Sequence, residues 1–139
     1  MPKDSEKKLQ PEEMMRLGDF VFSTKTAAFQ SASRSSTYNW AEQARIGNIP
    51  CLQFTGEGTE TLSLSGVIYP TFRGGLKQVD AMRELAGSGK PLCLISGMGD
   101  LKGYWCITSV KEKNSDFLQA GIPQKIEFSL ELKYYGENL

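Results

Sequence analysis

The segment YPTFRGGLKQVDAMREL, residues 69–85, places an Arg-Gly-Gly turn directly before a helical pattern. The N-terminus of a helix attracts anions, and Arg73 adds a positive charge beside it. A Walker-type phosphate loop needs Lys and then Ser or Thr after its glycines, and a dinucleotide loop needs three spaced glycines. Arg73-Gly74-Gly75-Leu76 fits neither pattern. Two interpretations remain: a small anion site, or a sharp turn whose glycines let the helix approach a sheet closely.

Other side chains that could take part in catalysis lack suitable partners. The chain has no histidine, which removes the commonest general base and the commonest metal ligand. Asp80 and Glu84 fall on the polar side of the predicted helix, as solvated carboxylates do. The cysteines are odd in number and show no metal-ligand spacing; they are Cys51, Cys93 and Cys106. The sequence therefore predicts a protein without enzymatic activity, cofactor or metal.

Charge and hydropathy exclude several partner classes. Sixteen basic and sixteen acidic residues cancel, so no broad positive field is available for nucleic acid or an anionic membrane surface. The first residues, MPKDSEKKLQPEEMMRLG, are charged where a signal peptide needs an apolar core, and no later run is long enough to span a bilayer. We expect synthesis to end in the cytosol, with no direct nucleic-acid or membrane contact.

The length of 139 residues and a hydrophobic content of 40% suit one globular domain. Residues 1–16 are rich in Lys, Glu and Asp and have few apolar positions, which predicts a flexible N-terminal arm. Residues 17–139 are then a single β-rich domain.

Alternating and apolar runs predict several strands in the first half. Residues 19–22 suggest a first strand, and the Ser- and Thr-rich residues 25–37 suggest a loop. Residues 38–45 fit either a strand or a helical turn, and we favour the strand. Residues 51–54 and 61–69 read as two strands joined by a hairpin turn through Thr55-Gly56-Glu57-Gly58.

One helix is predicted after the Arg-Gly-Gly turn. Apolar residues recur there at steps of three and four; they are Leu76, Val79, Met82, Leu85 and Ala86. Gly87 and Gly89 supply left-handed positions and Pro91 prevents continuation, so the helix should end near Ala86.

The second half predicts further strands. Residues 91–96 are short and apolar, residues 102–112 alternate, and residues 113–124 look irregular. KIEFSLELKYY, residues 125–135, alternates strictly. Its inward set is Ile126, Phe128, Leu130, Leu132 and Tyr134. The fold class is thus mainly β (α+β): an antiparallel β-sandwich or barrel with one packed α-helix.

Aromatic side chains could be core mass or anchors of a protein interface. They are Tyr38, Trp40, Tyr69, Phe72, Trp105, Phe117, Tyr134 and Tyr135. Phe72 and Phe117 are the best interface candidates, because each lies among polar or Gly residues in a predicted loop.

Several segments carry a resemblance to a known family. They are LGDFVFS (17–23), YNWAEQARIGNIPCLQFTGEG (38–58), residues 62–99, GYWCITSV (103–110) and FLQAGIPQKIEFSLELKYY (117–135). The most specific parts are I-Y-P-x-F-x-G-G before the helix and G-x-P-x-K-I-E-F-S-L, which contains Lys125. In these the chain resembles the U-type tail proteins of temperate contractile-tailed phages and prophages of the P-two type.

The resemblance implies a non-enzymatic structural protein of the virion tail, needed for tail assembly in the bacterial host cytoplasm, with a fold similar to tail-tube proteins. It implies a ring-forming homo-oligomer at the junction of tube and baseplate or at a tube end. Its expected partners are other tail proteins: tube, baseplate or hub, tape-measure or tail X-type proteins. The predicted contact residues are Phe72, Arg73, Gly74, Gly75, Phe117 and Lys125. The alternative is a small binding module with an anion site at Arg73-Gly74-Gly75.

Overall fold

A computed structural model of the protein describes residues 13–23, 27–45, 47–70, 76–117 and 121–139. These residues form one helix and one sheet of seven strands in which each paired strand is antiparallel to its neighbour. The elements in chain order are β1 Glu13–Leu17, β2 Phe20–Ser23, β3 Phe29–Arg45, β4 Asn48–Ile68, α1 Gln78–Gly87, β5 Leu92–Ser96, β6 Leu101–Phe117 and β7 Pro123–Gly136. The sheet order is β2-β1-β5-β6-β7-β4-β3. The predicted mainly antiparallel β fold with one helix is confirmed.

The core lies on one face of this sheet. Four of the five predicted inward residues of β7 are buried, and the fifth, Tyr134, is partly buried against the core. The inward residues of β4 lie directly opposite them, with Leu64 beside Leu130. The rings of Phe22 on β2 and Phe29 on β3 lie 5.9 Å apart, although β2 and β3 are the two ends of the strand order. Phe22 also stacks on Phe128, at 6.4 Å. The sheet therefore curls until its two edges share one core.

Gly66 makes this curl possible. It occupies an inward position of β4, and a Cβ atom there would overlap the carbonyl oxygen of Ala28 and lie 2.7 Å from the Cα atom of Phe29. The main chain at the start of β3, where Phe29 pairs with Gly66, thus approaches the inward side of β4 more closely than a residue with a Cβ atom permits.

Helix α1 packs on β6 and touches β2. Val79 and Met82 are buried in the core, as the apolar stripe predicts. The Arg83 guanidinium donates to Glu112 of β6 at 2.5 Å and ties the polar side of the helix to the sheet. Leu76 was wrongly included in the stripe: α1 begins at Gln78, so Leu76 precedes the helix and is exposed.

Three predictions of irregular structure or turns are wrong. The loop expected over residues 25–37 is strand β3 from Phe29 onward, because its serines pair across the sheet, as Ser31 does with Ser65 at 2.6 Å. The turn expected at residues 55–58 does not exist: β4 runs unbroken, and Gly56 uses its positive φ in a register shift opposite Asn39. Of the irregular segment 113–124, residues 113–117 extend β6, and residues 123–124 begin β7.

The prediction that residues 1–16 form a flexible arm is wrong for residues 13–16. Residues 13–16 belong to β1, where Arg16 pairs with Val21 of β2 and Ile95 of β5. Residues 1–12 lie outside the described part of the chain. The division into an arm and one β-rich domain otherwise stays a prediction.

Candidate functional site

The hairpin of β3 and β4 extends past the rest of the sheet. β7 pairs with β4 only from Thr61 to Ile68, so residues 48–60 of β4 pair with β3 alone among the described strands. Residues 36–45 and 48–60 therefore form a two-stranded extension, which we call the ribbon. At about 3.3 Å per residue the ribbon projects roughly 30 Å.

One face of the ribbon is apolar and exposed. Trp40 lies opposite Phe54, with edge-to-face rings 5.0 Å apart, and Leu52 follows on the same face. Their exposed fractions are 57%, 47% and 62%. We call Trp40, Leu52 and Phe54 the aromatic face. The opposite face is polar, since the Gln43 amide donates to the Gln53 amide oxygen at 2.9 Å.

A polar network closes the core at the base of the ribbon. The Arg34 guanidinium lies 5.9 Å from the ring centre of buried Trp105, and its Nε donates to Glu60 at 2.5 Å. The Ser36 hydroxyl donates to the same carboxylate at 3.2 Å. Arg34, Ser36 and Glu60 line a cavity of about 240 Å³ together with Tyr134. Because the ribbon strands supply both Ser36 and Glu60, the network fixes the ribbon to the sheet.

Tyr134 extends this network to the C-terminus. Its hydroxyl donates to the Glu137 carboxylate at 2.5 Å. That hydrogen bond is the main cause that raises the pKa of Tyr134 to about 12, with smaller contributions from partial burial and from the charges of Glu137, Glu60 and Glu57.

The face of the sheet turned away from the core is hydrophilic. Hydroxyls of β3 and β4 lie beside the charged residues of β7 and β6, and Lys125 approaches Glu127 at 3.9 Å. A shallow depression of about 510 Å³ lies there, with Lys111, Lys113 and Glu127 on its walls. The ion pair between Lys125 and Glu127 runs along β7 rather than across to a neighbouring strand.

The predicted contact residues fall into two groups. Phe72, Arg73, Gly74 and Gly75 lie outside the described residues, so the anion site and the loop contact both stay predictions. Phe117 ends β6 with 60% of its surface exposed, and it pairs with Pro123, two residues before Lys125.

The end of the sheet that carries Phe117 also receives the end of β4. Ile68 pairs with Ile126 there, immediately before exposed Tyr69. Phe117 and Lys125 therefore lie at the end from which the chain leaves for residues 71–75, and the ribbon lies at the opposite end. An interface role for Phe117 and Lys125 stays a prediction.

The part of the chain that the structure describes contains neither a metal-binding cluster nor a membrane-spanning helix. No group of three or more His, Cys, Asp or Glu side chains there is arranged to hold a metal ion. The helix that the described residues contain is too short and too polar to cross a membrane.

Known proteins resemble this chain in sequence and in fold. The family model described as Phage P2 GpU matches residues 18–137. A protein of Halomonas phage phiHAP-1 (Gulf of Mexico isolate), named a probable tape measure protein, is 30% identical over 128 residues. That match covers 91% of this chain, which spans 15% of the length of the relative.

Three solved structures have a similar fold. A chain in the virion of the native gene transfer agent (GTA) particle has a TM-score of 0.59 at 12% identity, covering 94% of this chain and 95% of its own. A chain in the tail of the empty GTA particle, computed with C6 symmetry, has a TM-score of 0.58 at 13% identity, covering 94% and 96%. The third is the crystal structure of the SPP1 Dit protein, described as a hub adsorption apparatus of phages that infect Gram-positive bacteria. Its TM-score is 0.58 at 8% sequence identity, and the match covers 89% of this chain and 50% of the Dit chain.

The structural likenesses establish a fold, and the family match identifies the chain. Because the matched residues 18–137 include the ribbon, the helix and all of β7, the match covers nearly the whole described domain. The chain belongs to the Phage P2 GpU family and is a structural protein of the phage tail.

Proposed function

We propose that this protein forms a ring in the phage tail, at a tube end or at the junction of tube and baseplate, and acts through protein contacts without catalysis. The observation that carries the proposal is the ribbon, whose aromatic face is exposed on a two-stranded extension with no core of its own.

The energetics of the ribbon favour a partner. Burying one large apolar side chain stabilises a structure by about 1.5–3 kcal/mol, and none of the three side chains of the aromatic face is buried. Two-stranded hairpins are marginal in water without a covered face. Trp and other aromatics are enriched among the residues that dominate protein interfaces. Covering the aromatic face would therefore stabilise both the contact and the ribbon.

A closed ring is supported by the likeness to the GTA tail chain. That tail was computed with C6 symmetry, and its chain shares this fold over almost its full length. In a cyclic ring each subunit presents two different, complementary surfaces. We propose six copies per ring on this basis.

A contact with the tape measure protein is supported by the Halomonas phage relative. There a segment 30% identical to this chain is part of a longer protein named a probable tape measure protein. Cross-linking of purified tails followed by peptide mass spectrometry tests this contact. Links between this chain and the tape measure protein are expected, and tails that yield links only to other components would contradict it.

The main experiment compares the two faces of the ribbon. Trp40→Ala with Phe54→Ala removes the aromatic pair, and Gln43→Ala with Gln53→Ala is the matched control on the polar face. Each variant is supplied in trans to a phage lacking the gene. Interface anchors contribute about 2 kcal/mol or more each, which weakens every subunit contact by roughly a thousandfold for the pair.

The Trp40/Phe54 variant should remain folded but yield few tails, whereas the Gln43/Gln53 variant should restore infectivity. Full infectivity from the Trp40/Phe54 variant would remove the ribbon from the proposal. Full infectivity of the phage without the gene would overturn the tail role in assembly altogether.

A further inference from the structure

A second exposed apolar patch lies on the turn between β5 and β6. Met98 is 92% exposed and Leu101 is 63% exposed. The turn itself is well held: the Gly99 N–H donates to the Ser96 carbonyl, and the Ser96 N–H donates to the Asp100 carbonyl, both at 2.9 Å. We call Met98 and Leu101 the turn patch. Lys102 lies at its edge.

The turn patch and the ribbon lie at the same end of the sheet. Near the start of β6, Tyr104 pairs with Gly136, the last residue of β7. Three residues earlier on β7, Lys133 pairs with Thr61 at the base of the ribbon. The strand order separates the two features laterally, because β5 and β6 lie on one side of β7 and β4 and β3 lie on the other.

We propose that the aromatic face of one copy covers the turn patch of the next copy in the ring, with the strands running roughly along the ring axis. This inference rests on the ring proposed above. Rotation about an axis leaves height along that axis unchanged, so a head-to-tail contact joins two different surfaces of equal height on opposite sides of the subunit. The ribbon and the turn patch meet both conditions.

The chemistry of the two surfaces is complementary. Met98 is an adaptable side chain whose sulfur packs well against aromatic rings such as those of Trp40 and Phe54. Glu42 lies opposite Leu52 on the aromatic face. Lys102 follows Leu101 on β6, so its side chain leaves the strand on the opposite face from Leu101, at the edge of the turn patch. Among the described residues neither charged side chain has an ion-pair partner, so the two are available to pair across the contact. A second copy of this chain is therefore the occupant that the ribbon fits.

Disulfide trapping tests the geometry in assembled tails. The natural cysteines Cys51, Cys93 and Cys106 are replaced by Ala, and Leu52→Cys is combined with Met98→Cys. The control pair combines Gln53→Cys, on the polar face, with Met98→Cys. After mild oxidation the first pair should give a ladder of covalent multimers that stops at the ring size. The control pair should give little ladder.

A charge exchange tests the same contact without cysteines, in case the cysteine-free chain does not fold. Glu42→Lys and Lys102→Glu should each lower the infectious titre about tenfold, because each places like charges across the contact. The double exchange should recover most of the titre. A simple loss of solubility or folding in the single variants would not be rescued in this way.

The outcomes separate this inference from the ring itself. If tails contain about six copies per ring but neither the ladder nor the rescue is seen, the ring stands and this pairing of surfaces is wrong. The pairing is also wrong if Leu52→Cys links instead to another tail protein. If finished tails contain too few copies for a ring, the proposed ring fails and the contact fails with it.

Discussion

Replacement of Gly66 by Ala tests the curled sheet on which the whole domain depends. Gly66 lies among the inward residues of β4, and its φ is not in the left-handed region, so the substitution brings no backbone strain of its own. All of its cost comes from the added methyl group. That group would overlap the Ala28 carbonyl oxygen, lie 2.7 Å from the Phe29 Cα atom and lie 2.9 Å from the Phe128 ring.

The magnitude follows from what must move. Carbon atoms in ordinary contact are about 3.5–4.0 Å apart, so the chain entering β3 must shift by roughly 1 Å. Two of the three obstructing atoms belong to the main chain, which cannot rotate away as a side chain can. The shift would also disturb the contact of Phe29 with Phe22. We expect the free energy of unfolding to fall by about 3 kcal/mol, near the upper end of the range for overpacked cores.

Chemical denaturation followed by fluorescence measures this loss, because Trp105 is buried in the core. At roughly 4 °C per kcal/mol the melting temperature in a thermal denaturation should fall by about 12 °C. Gly87→Ala is the matched control: Gly87 ends helix α1, its φ is not left-handed and an added Cβ meets no atom within 4 Å. The free energy of unfolding of that variant should be about 0.4–1 kcal/mol higher than that of the natural protein. A Gly66→Ala protein as stable as the natural one would refute the close approach of β3 to β4 at Gly66.

Two further predictions concern the base of the ribbon. A double-mutant cycle of Arg34→Ala and Glu60→Gln measures the coupling of the two side chains in the free energy of unfolding. Because Arg34 is more than half exposed, the coupling should be only about 0.5–1 kcal/mol and should decrease at high salt. A coupling that salt leaves unchanged would contradict an exposed ion pair. Because the pKa of Tyr134 is raised from 10.0 to about 12, the fold favours the protonated phenol, and the resulting stabilisation is complete below pH 10 and lost as the pH rises toward 12. In a titration of tyrosinate absorbance one of the five tyrosines should ionise late, and Glu137→Gln should lower its pKa; unchanged titration would show that Glu137 is not the cause.

The sequence predicts the parts of the fold whose pattern is set by one buried face. Strict alternation places Ile126, Phe128, Leu130 and Leu132 inward, and the structure buries all of them. The helix is predicted almost to the residue at its C-terminal end because Gly89 takes the left-handed conformation, at φ 68°, after the apolar stripe ends. Both signals are local, so no knowledge of strand pairing is needed to read them.

The sequence does not predict strand β3, because its stability depends on distant residues. Its first part contains Ser, Thr, Ala and Arg with no apolar period, and these residues become a strand only beside β4. Arg34 illustrates the difficulty: it takes an inward position, which alternation alone assigns to an apolar residue, and is tolerated there by Glu60 and the ring of Trp105. Such compensation is visible only in three dimensions.

The candidate site was missed for a related reason. Tyr38 and Trp40 were recognised as possible interface aromatics, but the partner of Trp40 could not be found while the hairpin turn was placed at residues 55–58. With that turn, residues 51–54 would pair with residues 61–69 rather than with β3, so Phe54 would not face Trp40 and no ribbon would exist. The sequence predicts that Phe117 lies in a segment connecting two strands and that Lys125 begins the second strand. The exposure of these residues and their distance from the ribbon depend on the register of β6 with β7.

The glycines of β4 explain why the turn was misplaced and what they do instead. Gly56 takes φ 136° at a register shift, and Gly58 lies against Thr37, whose hydroxyl donates to the Thr59 carbonyl at 2.9 Å. Glycines at such shifts increase the local twist of a strand pair without ending it. They allow β4 to continue for 21 residues, beyond the usual 3–10, into a ribbon that no other element among the described residues covers. A strand pair of that length with one apolar face gains little for an isolated subunit, and it is therefore best explained as material for a contact with another protein.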